Sequence, residues 1–420
     1  MKKNAQIILN FLLTFKEEKK FLFYFSVGIL VLAGLTIGNY LFSIRGYGGA
    51  AFLINWVAAR NLIFKGISPY SLTAVASYNE TANLLKIVPS SQNYHFTAPL
   101  YALFLYFPFA IFTNFTIARA IWMTLLEVAA VMSGLICFEI LDWVPNKKIK
   151  NLLLVFSIIS FFTIINIQNG TDLIIVNYCF LLGIFFFVKE KYELSGIIFT
   201  LIVLNYQIYL IPFFGICIYV FRKKAWTFYI WFLLITLLLG VVSALFVTDW
   251  PFQNLREILI SQNLSALQLS GEVLKSWIPG FNPVIGNSIS ILLFIWLIYE
   301  LMRKNITSQN YLWKLCFMIT LSEMIIIQNN IYGLLLQYFV FIYIFYQWIK
   351  RDKKIGTIFS ILISATFSII FLILGYFTKA LQFTNSYPFF FYISPLVFLL
   401  VYLYWIRGWV VKNISLDYEK

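Results

Sequence analysis

The sequence predicts an all-α, polytopic integral membrane protein of about twelve transmembrane helices. Three observations carry that prediction. The mean hydropathy is +0.85, and 61% of the 420 residues are hydrophobic against 11% charged, a balance that soluble domains do not carry. Apolar runs near 20 residues recur along the chain, the length that crosses a hydrocarbon core. They are continuous rather than alternating, which excludes an outer-membrane barrel. Finally, basic residues gather in short loops between the runs. A net charge of +14 would suggest nucleic acid in a soluble chain, but cytoplasmic loops of a polytopic protein collect Lys and Arg by themselves. No nucleic-acid partner is expected.

Residues 1–20 place Lys2, Lys3, Lys16, Lys19 and Lys20 around an apolar middle and predict an amphipathic segment on the cytoplasmic surface. Phe21–Phe42 is the first span; it lacks a small-x-small exit and is expected to stay uncleaved. After a long polar stretch, Pro99–Thr113 is apolar but too short to cross, and reads as an interfacial or half-inserted helix. Ile117–Leu141, Leu152–Ile167 and Asp172–Val188 follow as spans. Residues 196–221 lie between two basic loops (Lys189/Lys191 and Arg222-Lys223-Lys224) yet are too few for two full crossings. Asn205-Tyr206-Gln207 and Pro212 at their middle predict a broken hairpin, a form that survives in a membrane only beside a cavity or inside protein. Thr227–Val247, Ile285–Met302, Tyr311–Ile327, Leu334–Ile349, Gly356–Phe377 and Phe389–Trp405 complete the set. With both termini inside, the cytoplasmic segments hold 22 of the 31 Lys and Arg. Counting Pro99–Thr113 as a span would send the later basic clusters outside, against the positive-inside rule. The expected organisation is a cytoplasmic segment (1–20), a membrane module (21–225), a second transmembrane module (226–408) and a cytoplasmic tail (409–420), in the cell membrane.

The stretch Ser43–Thr116 is the one long polar interruption, and a loop of that length on a membrane protein suggests function. The predicted outer face collects Arg45, Asn55, Arg60, Lys65, Glu80, Lys86, His95, Asn169, Asp172, Asp249, Arg256, Glu257, Glu272 and Lys275. Basic side chains at a membrane surface suit a phosphate-bearing lipid; the plainer reading is a solvated loop. Asp172, in Gln168-Asn169-Gly170-Thr171-Asp172, stands at the mouth of a span, where a carboxylate is either functional or a helix N-cap. His95, the only histidine, is a candidate proton carrier or phosphate partner. Glu127 and Glu323 lie deep in spans and require partners. Cys137, Cys179, Cys217 and Cys316 sit inside apolar runs as small hydrophobes. No metal cluster, phosphate-binding loop or nucleophile elbow is present in the sequence, and no cofactor or metal is expected.

Several pieces occur in an order that resembles the GT-C type of polyprenyl-phosphate-sugar-dependent membrane glycosyltransferases, and most of all glycosyltransferase family 87, a mannosyltransferase-like group. They are Ala58-Ala59-Arg60-x4-Lys65-Gly66-Ile67-Ser68-Pro69-Tyr70, then Phe96-Thr97-Ala98-Pro99-Leu100-Tyr101-Ala102-Leu103, then Ala118-Arg119-Ala120-Ile121-Trp122. The Asn169-Gly170-Thr171-Asp172 turn and the Asn205-Tyr206-Gln207 hairpin follow, so the similarity covers about residues 20–225. The resemblance implies transfer of a hexose from a polyprenyl phosphate to a glycan or glycolipid acceptor on the extracytoplasmic side, with a first-loop Asp as general base. This chain departs there: the aligned position holds Ala50 or Ala51, the usual hairpin Lys-Pro is Asn205-Tyr206, and the usual Pro-Pro is Ala98-Pro99. The resemblance therefore points to Asp172 (or Glu80) as replacement base, with His95, Arg60 and Lys65 at the phosphate. Asn55, Asn169, Asn205 and Gln207 would bind the sugar through amide hydrogen bonds. An inactive relative that binds lipid-linked sugar, and a transporter, are the alternative readings.

Overall fold

The computed structural model describes residues 2–45, 48–85, 95–260, 271, 274–275, 278, 280–303, 308–326, 331–373 and 389–417; the side chains of 2–22, 203, 205–207, 308–310, 331, 389–391 and 410–417 lie outside it. Among these residues the secondary structure is helical throughout, with no strand. Backbone groups in hydrocarbon have to bond within their own segment, and a helix does that. Among the described residues seven helices are long and apolar enough to cross a membrane, or eight if one bent pair counts as a span.

The chain begins with α1 (Lys2–Arg45), unbroken through residue 20, where a separate surface segment was expected. The polar stretch then folds into α2 (Ala50–Lys65), α3 (Leu72–Leu84), a 3-10 turn at Leu100–Leu105 and α4 (Phe107–Ala110). Residues 100–110 are thus two short pieces and not a crossing. Next come α5 (Phe115–Ile140), α6 (Lys147–Ile159), α7 (Phe161–Asn169) and α8 (Leu173–Val188). The span expected over 152–167 is bent by 42° between α6 and α7. Ser160 causes the break: at φ −60 and ψ 142 it leaves the helix, and its hydroxyl caps α7 by accepting from the Thr163 amide.

The broken hairpin is α9 (Tyr192–Phe199), a 3-10 turn at Thr200–Asn205 and α10 (Tyr206–Arg222). Tyr192 and Lys223 line the same cavity, so the second leg returns to the end where the first began. The legs pack closely on their neighbours. A side chain on Gly196 would run into the Phe228 carbonyl, and one on Gly215 into Met318 Sδ. The remainder is α11 (Trp226–Phe246), α12 (Trp250–Ile260), α13 (Pro283–Met302), α14 (Ser308–Ile325), α15 (Gln337–Arg351), α16 (Lys353–Ala365) and α17 (Phe389–Asp417).

The interior is built from α5, α8, α14 and α15, while α1 and α11 lie outside it. In α5, 61% of the most apolar window is buried, and in the segment Tyr332–Arg351 78%, whereas α1 buries 6% and α11 11%. The Tyr338 hydroxyl on α15 donates to the Leu153 carbonyl on α6, and Phe156 packs on Phe341 and Phe345, so the two sequence halves share one core. The apolar faces of α1 and α11 stay open (Leu237 68%, Val241 63%, Leu245 81% exposed), which suits hydrocarbon and not water. What holds α1 is polar: Asn39 Nδ2 donates to Thr124 Oγ1 and to Glu127 Oε2, both at 3.1 Å. Glu127 thereby finds its partner, as Glu323 does in the Tyr392 hydroxyl at 2.7 Å.

The basic turns gather at one end. Lys189 pairs with Asp142 at 2.9 Å, Arg222 donates to the Leu301 carbonyl, Lys314 to the Arg303 carbonyl, and Arg407 pairs with Glu300 at 2.9 Å. The folded 50–110 segment, the Gln168–Asp172 turn and α12 build up the other end.

Candidate functional site

At that opposite end α2 is seated by its own sequence. Gly48 (φ 104) and Gly49 (φ 90) make the turn that starts it, in a backbone region that side chains disfavour. Phe52 stacks on Trp122 of α5 at 5.5 Å, and Phe109 meets Trp122 edge-on at 5.1 Å. The Trp56 indole donates to the Phe109 carbonyl at 3.0 Å. Arg60 straps the same segment, its Nη1 donating to the carbonyls of Ala110 (2.9 Å) and Phe112 (2.7 Å) while its guanidinium lies over Trp56. Lys65, in the last turn of α2, is exposed.

The Asp172 turn packs against this layer. Gly170 ends α7 at φ +70, and its carbonyl accepts from Trp122 Nε1 at 3.0 Å. Asp172 is the N-cap residue of α8, yet its side chain makes no capping hydrogen bond. Its carboxylate acts on the Tyr106 hydroxyl, which also interacts with Asn55. Burial above all, and then the Asp172 charge, hold the Tyr106 phenol well above its ordinary value near 10. Within this group the Tyr106 hydroxyl and Asn169 Oδ1 are buried without a hydrogen bond of regular geometry to any described residue. Such atoms are rare because desolvation without a partner is costly, and they mark places where a ligand or water belongs.

Three residues that sequence reasoning did not single out as site residues belong here. Arg119 on α5, 2% exposed, donates through Nη2 to the Gln168 carbonyl at 2.9 Å, and a side chain on Gly49 would meet its Nε at 2.7 Å. A buried guanidinium thus links the first outer turn to the Asp172 turn. Its signal was an arginine one turn inside a span. Tyr106, hidden in an apolar run, carried no signal. Tyr209 on α10 lies within electrostatic reach of both Asp172 and Glu323, which brings the start of the hairpin's second leg towards the same place.

The structure thus brings Asp172, Asn55 and Asn169 into one neighbourhood. The side chains of Asn205 and Gln207 lie outside the described residues, as do Lys86 and Glu272. His95 belongs to a second set of contacts. Its Nδ1 meets Glu257 Oε2 at 2.9 Å, and Arg256 bridges Glu257 Oε1 (3.2 Å) and the Tyr70 carbonyl (3.0 Å). Asn254 adds hydrogen bonds to the carbonyls of Thr97 and Ala98, and Ser68 donates to Gln253 at 2.6 Å. These polar contacts dock α12 across the first outer segment. No family model, curated protein or solved structure matches the chain.

Proposed function

We propose that this chain is a twelve-crossing membrane glycosyltransferase of GT-C type, moving a hexose from a polyprenyl phosphate to a lipid or glycan acceptor at the extracytoplasmic boundary. The observation that carries the reading is the set of buried polar atoms beside the Asp172 turn, the Tyr106 hydroxyl and Asn169 Oδ1. A carboxylate that does not cap its helix, a buried phenol and a buried amide oxygen converge beneath an aromatic cap at the end of the bundle away from the basic turns. Asp172 accepts the proton of the acceptor hydroxyl as its oxygen attacks the anomeric carbon; the bond from that carbon to the phosphate oxygen breaks, and the lipid phosphate leaves. Arg119, more buried than Arg60 or Lys65 and held beside the turn by its bond to the Gln168 carbonyl, neutralises that phosphate. Asn55 and Asn169 supply amide hydrogen bonds to sugar hydroxyls.

Purified protein given a panel of radiolabelled polyprenyl-phosphate sugars, with membrane lipids as acceptor, should release free polyprenyl phosphate. Asp172→Asn should lower that rate by roughly 10²–10⁴-fold while leaving donor binding intact. One observation favours a second reading, a binder of lipid-linked sugar: Ala50 and Ala51 open α2 where the resembling family carries its base. Donor retention with no turnover of any sugar would establish that reading and reject the transferase.

A further inference from the structure

A cavity of about 310 Å³ opens at the other end of the molecule, among the basic turns, and the transferase reading makes no use of it. Its interior is lined by tyrosines, among them Tyr219, Tyr311 and Tyr343, with the Gln347 amide beside them. Tyr311 (8% exposed) and Tyr343 (1% exposed) each carry a buried hydroxyl without a hydrogen bond of regular geometry among the described residues, and only the Tyr343 hydroxyl has a side-chain group, the Gln347 amide, in reach. A Tyr311 hydroxyl removed from water with no regular hydrogen bond, and a Tyr343 hydroxyl with only the Gln347 amide near it, point to an occupant that bonds to them.

The rim is charged with both signs. Asp142 and Glu190 contribute carboxylates, and Lys223 an ammonium. The two acids follow helix ends in the left-handed region, Asp142 at φ 45 and Glu190 at φ 59, at positions where glycine is the usual choice. Backbone strain is thus tolerated where it sets a carboxylate on the cavity rim. Tyr219 and Tyr311 stack at 4.0 Å and form a shared wall. Across it runs a narrow apolar crevice with Gly215, Ile218 and Met318, which also carries Arg222 and Lys314.

We propose that this cavity binds the headgroup of a membrane phospholipid carrying a primary amine on a phosphodiester, of the phosphoethanolamine type. The phosphate matches Lys223 and the buried hydroxyls of Tyr311 and Tyr343. The ammonium matches Glu190 and Asp142 and the tyrosine faces, which attract a cation through the ring quadrupole. A neutral polyol headgroup satisfies the phenols but brings no counter-charge to Glu190, whereas Asp142 is already paired with Lys189. This site is independent of the transferase reading and stands at the opposite end of the bundle.

The full chain, delipidated in mild detergent and reconstituted with defined lipids, is read by native mass spectrometry for retained phosphatidylethanolamine against phosphatidylglycerol of identical chains. The ethanolamine lipid should be retained about fivefold more, and Glu190→Gln with Asp142→Asn should remove that preference. Tyr343→Phe, which deletes only the buried hydroxyl, should weaken retention of both lipids about fivefold. The melting midpoint of each variant separates lost binding from lost fold. Equal retention of the two headgroups, or a preference unchanged in folded Glu190→Gln/Asp142→Asn protein, overturns the proposal.

Discussion

Two glycines with the same backbone conformation and opposite surroundings give a direct test of how the Asp172 turn is held. Gly170 ends α7 at φ +70, and a Cβ there would lie 2.7 Å from Phe52 Cβ and 3.5 Å from Trp122 Cδ1. Gly66 ends α2 at φ +63 with nothing within 4 Å of that position. An alanine in the left-handed region costs about 1–2 kcal/mol at either site. Only at Gly170 is overpacking added, typically about 1–3 kcal/mol, because Phe52 Cβ is fixed to the α2 backbone and cannot rotate away. An unfolding entropy of about 2.1 cal/mol/K per residue makes 1 kcal/mol equivalent to about 1 °C for 420 residues. Gly66→Ala should therefore lower the melting midpoint by about 1–2 °C and Gly170→Ala by about 2–5 °C. Both are measured at one scan rate, since membrane proteins often melt irreversibly. Gly170→Ala should also reduce transfer, because α2 has to retreat and carries Asn55 away from Asp172. Equal shifts for the two variants would refute the close approach of Phe52 to the turn, and with it the placement of α2 over Asp172.

Trp122→Phe keeps an aromatic ring against Phe52 but strips the donor from the Gly170 carbonyl, and should cost about 1–3 kcal/mol in thermal unfolding. Asn254→Ala removes hydrogen bonds of 2.9 and 3.0 Å to Thr97 and Ala98; limited proteolysis should then cut near residues 95–98 faster, with the spans still intact. Alkaline pH should loosen the outer layer first. Burial raises the Tyr70, Tyr78 and Tyr106 phenols above the ordinary value near 10. They stay neutral in the folded chain and ionise in the unfolded one, so their contribution is complete below about pH 10 and is lost as pH rises beyond it. A melting midpoint flat to about pH 10 and falling above it is expected, with a shallower fall for Tyr78→Phe.

Some site residues were legible because their chemistry is out of place in an apolar run. Asp172 and Asn169 interrupt two spans, and a polar turn at a span mouth is visible without coordinates. Arg119, Tyr106 and Tyr209 were not, since one arginine or tyrosine inside a hydrophobic segment reads the same whether it faces lipid, core or a cavity. His95 and Arg60 show the converse. Both are conspicuous in sequence, and the contacts they make, to Glu257 of α12 and to two carbonyls of the 110–112 segment, depend on pieces far along the chain.

The sequence by itself determined the solvent and the secondary structure. Runs of about 20 apolar residues have to be helical in hydrocarbon, and the basic turns predicted to share one side do gather at one end of the bundle. Tertiary structure alone decided which spans lie at the centre, that Ser160 bends one of them, and that the polar stretch folds into helices over Asp172. Those outcomes depend on which side chains meet: Gly170 against Phe52, Trp122 against a carbonyl, Asn254 across an intervening 150 residues or so. Hydropathy depends on each residue alone and can be summed along a chain, whereas packing depends on pairs that the chain order does not name.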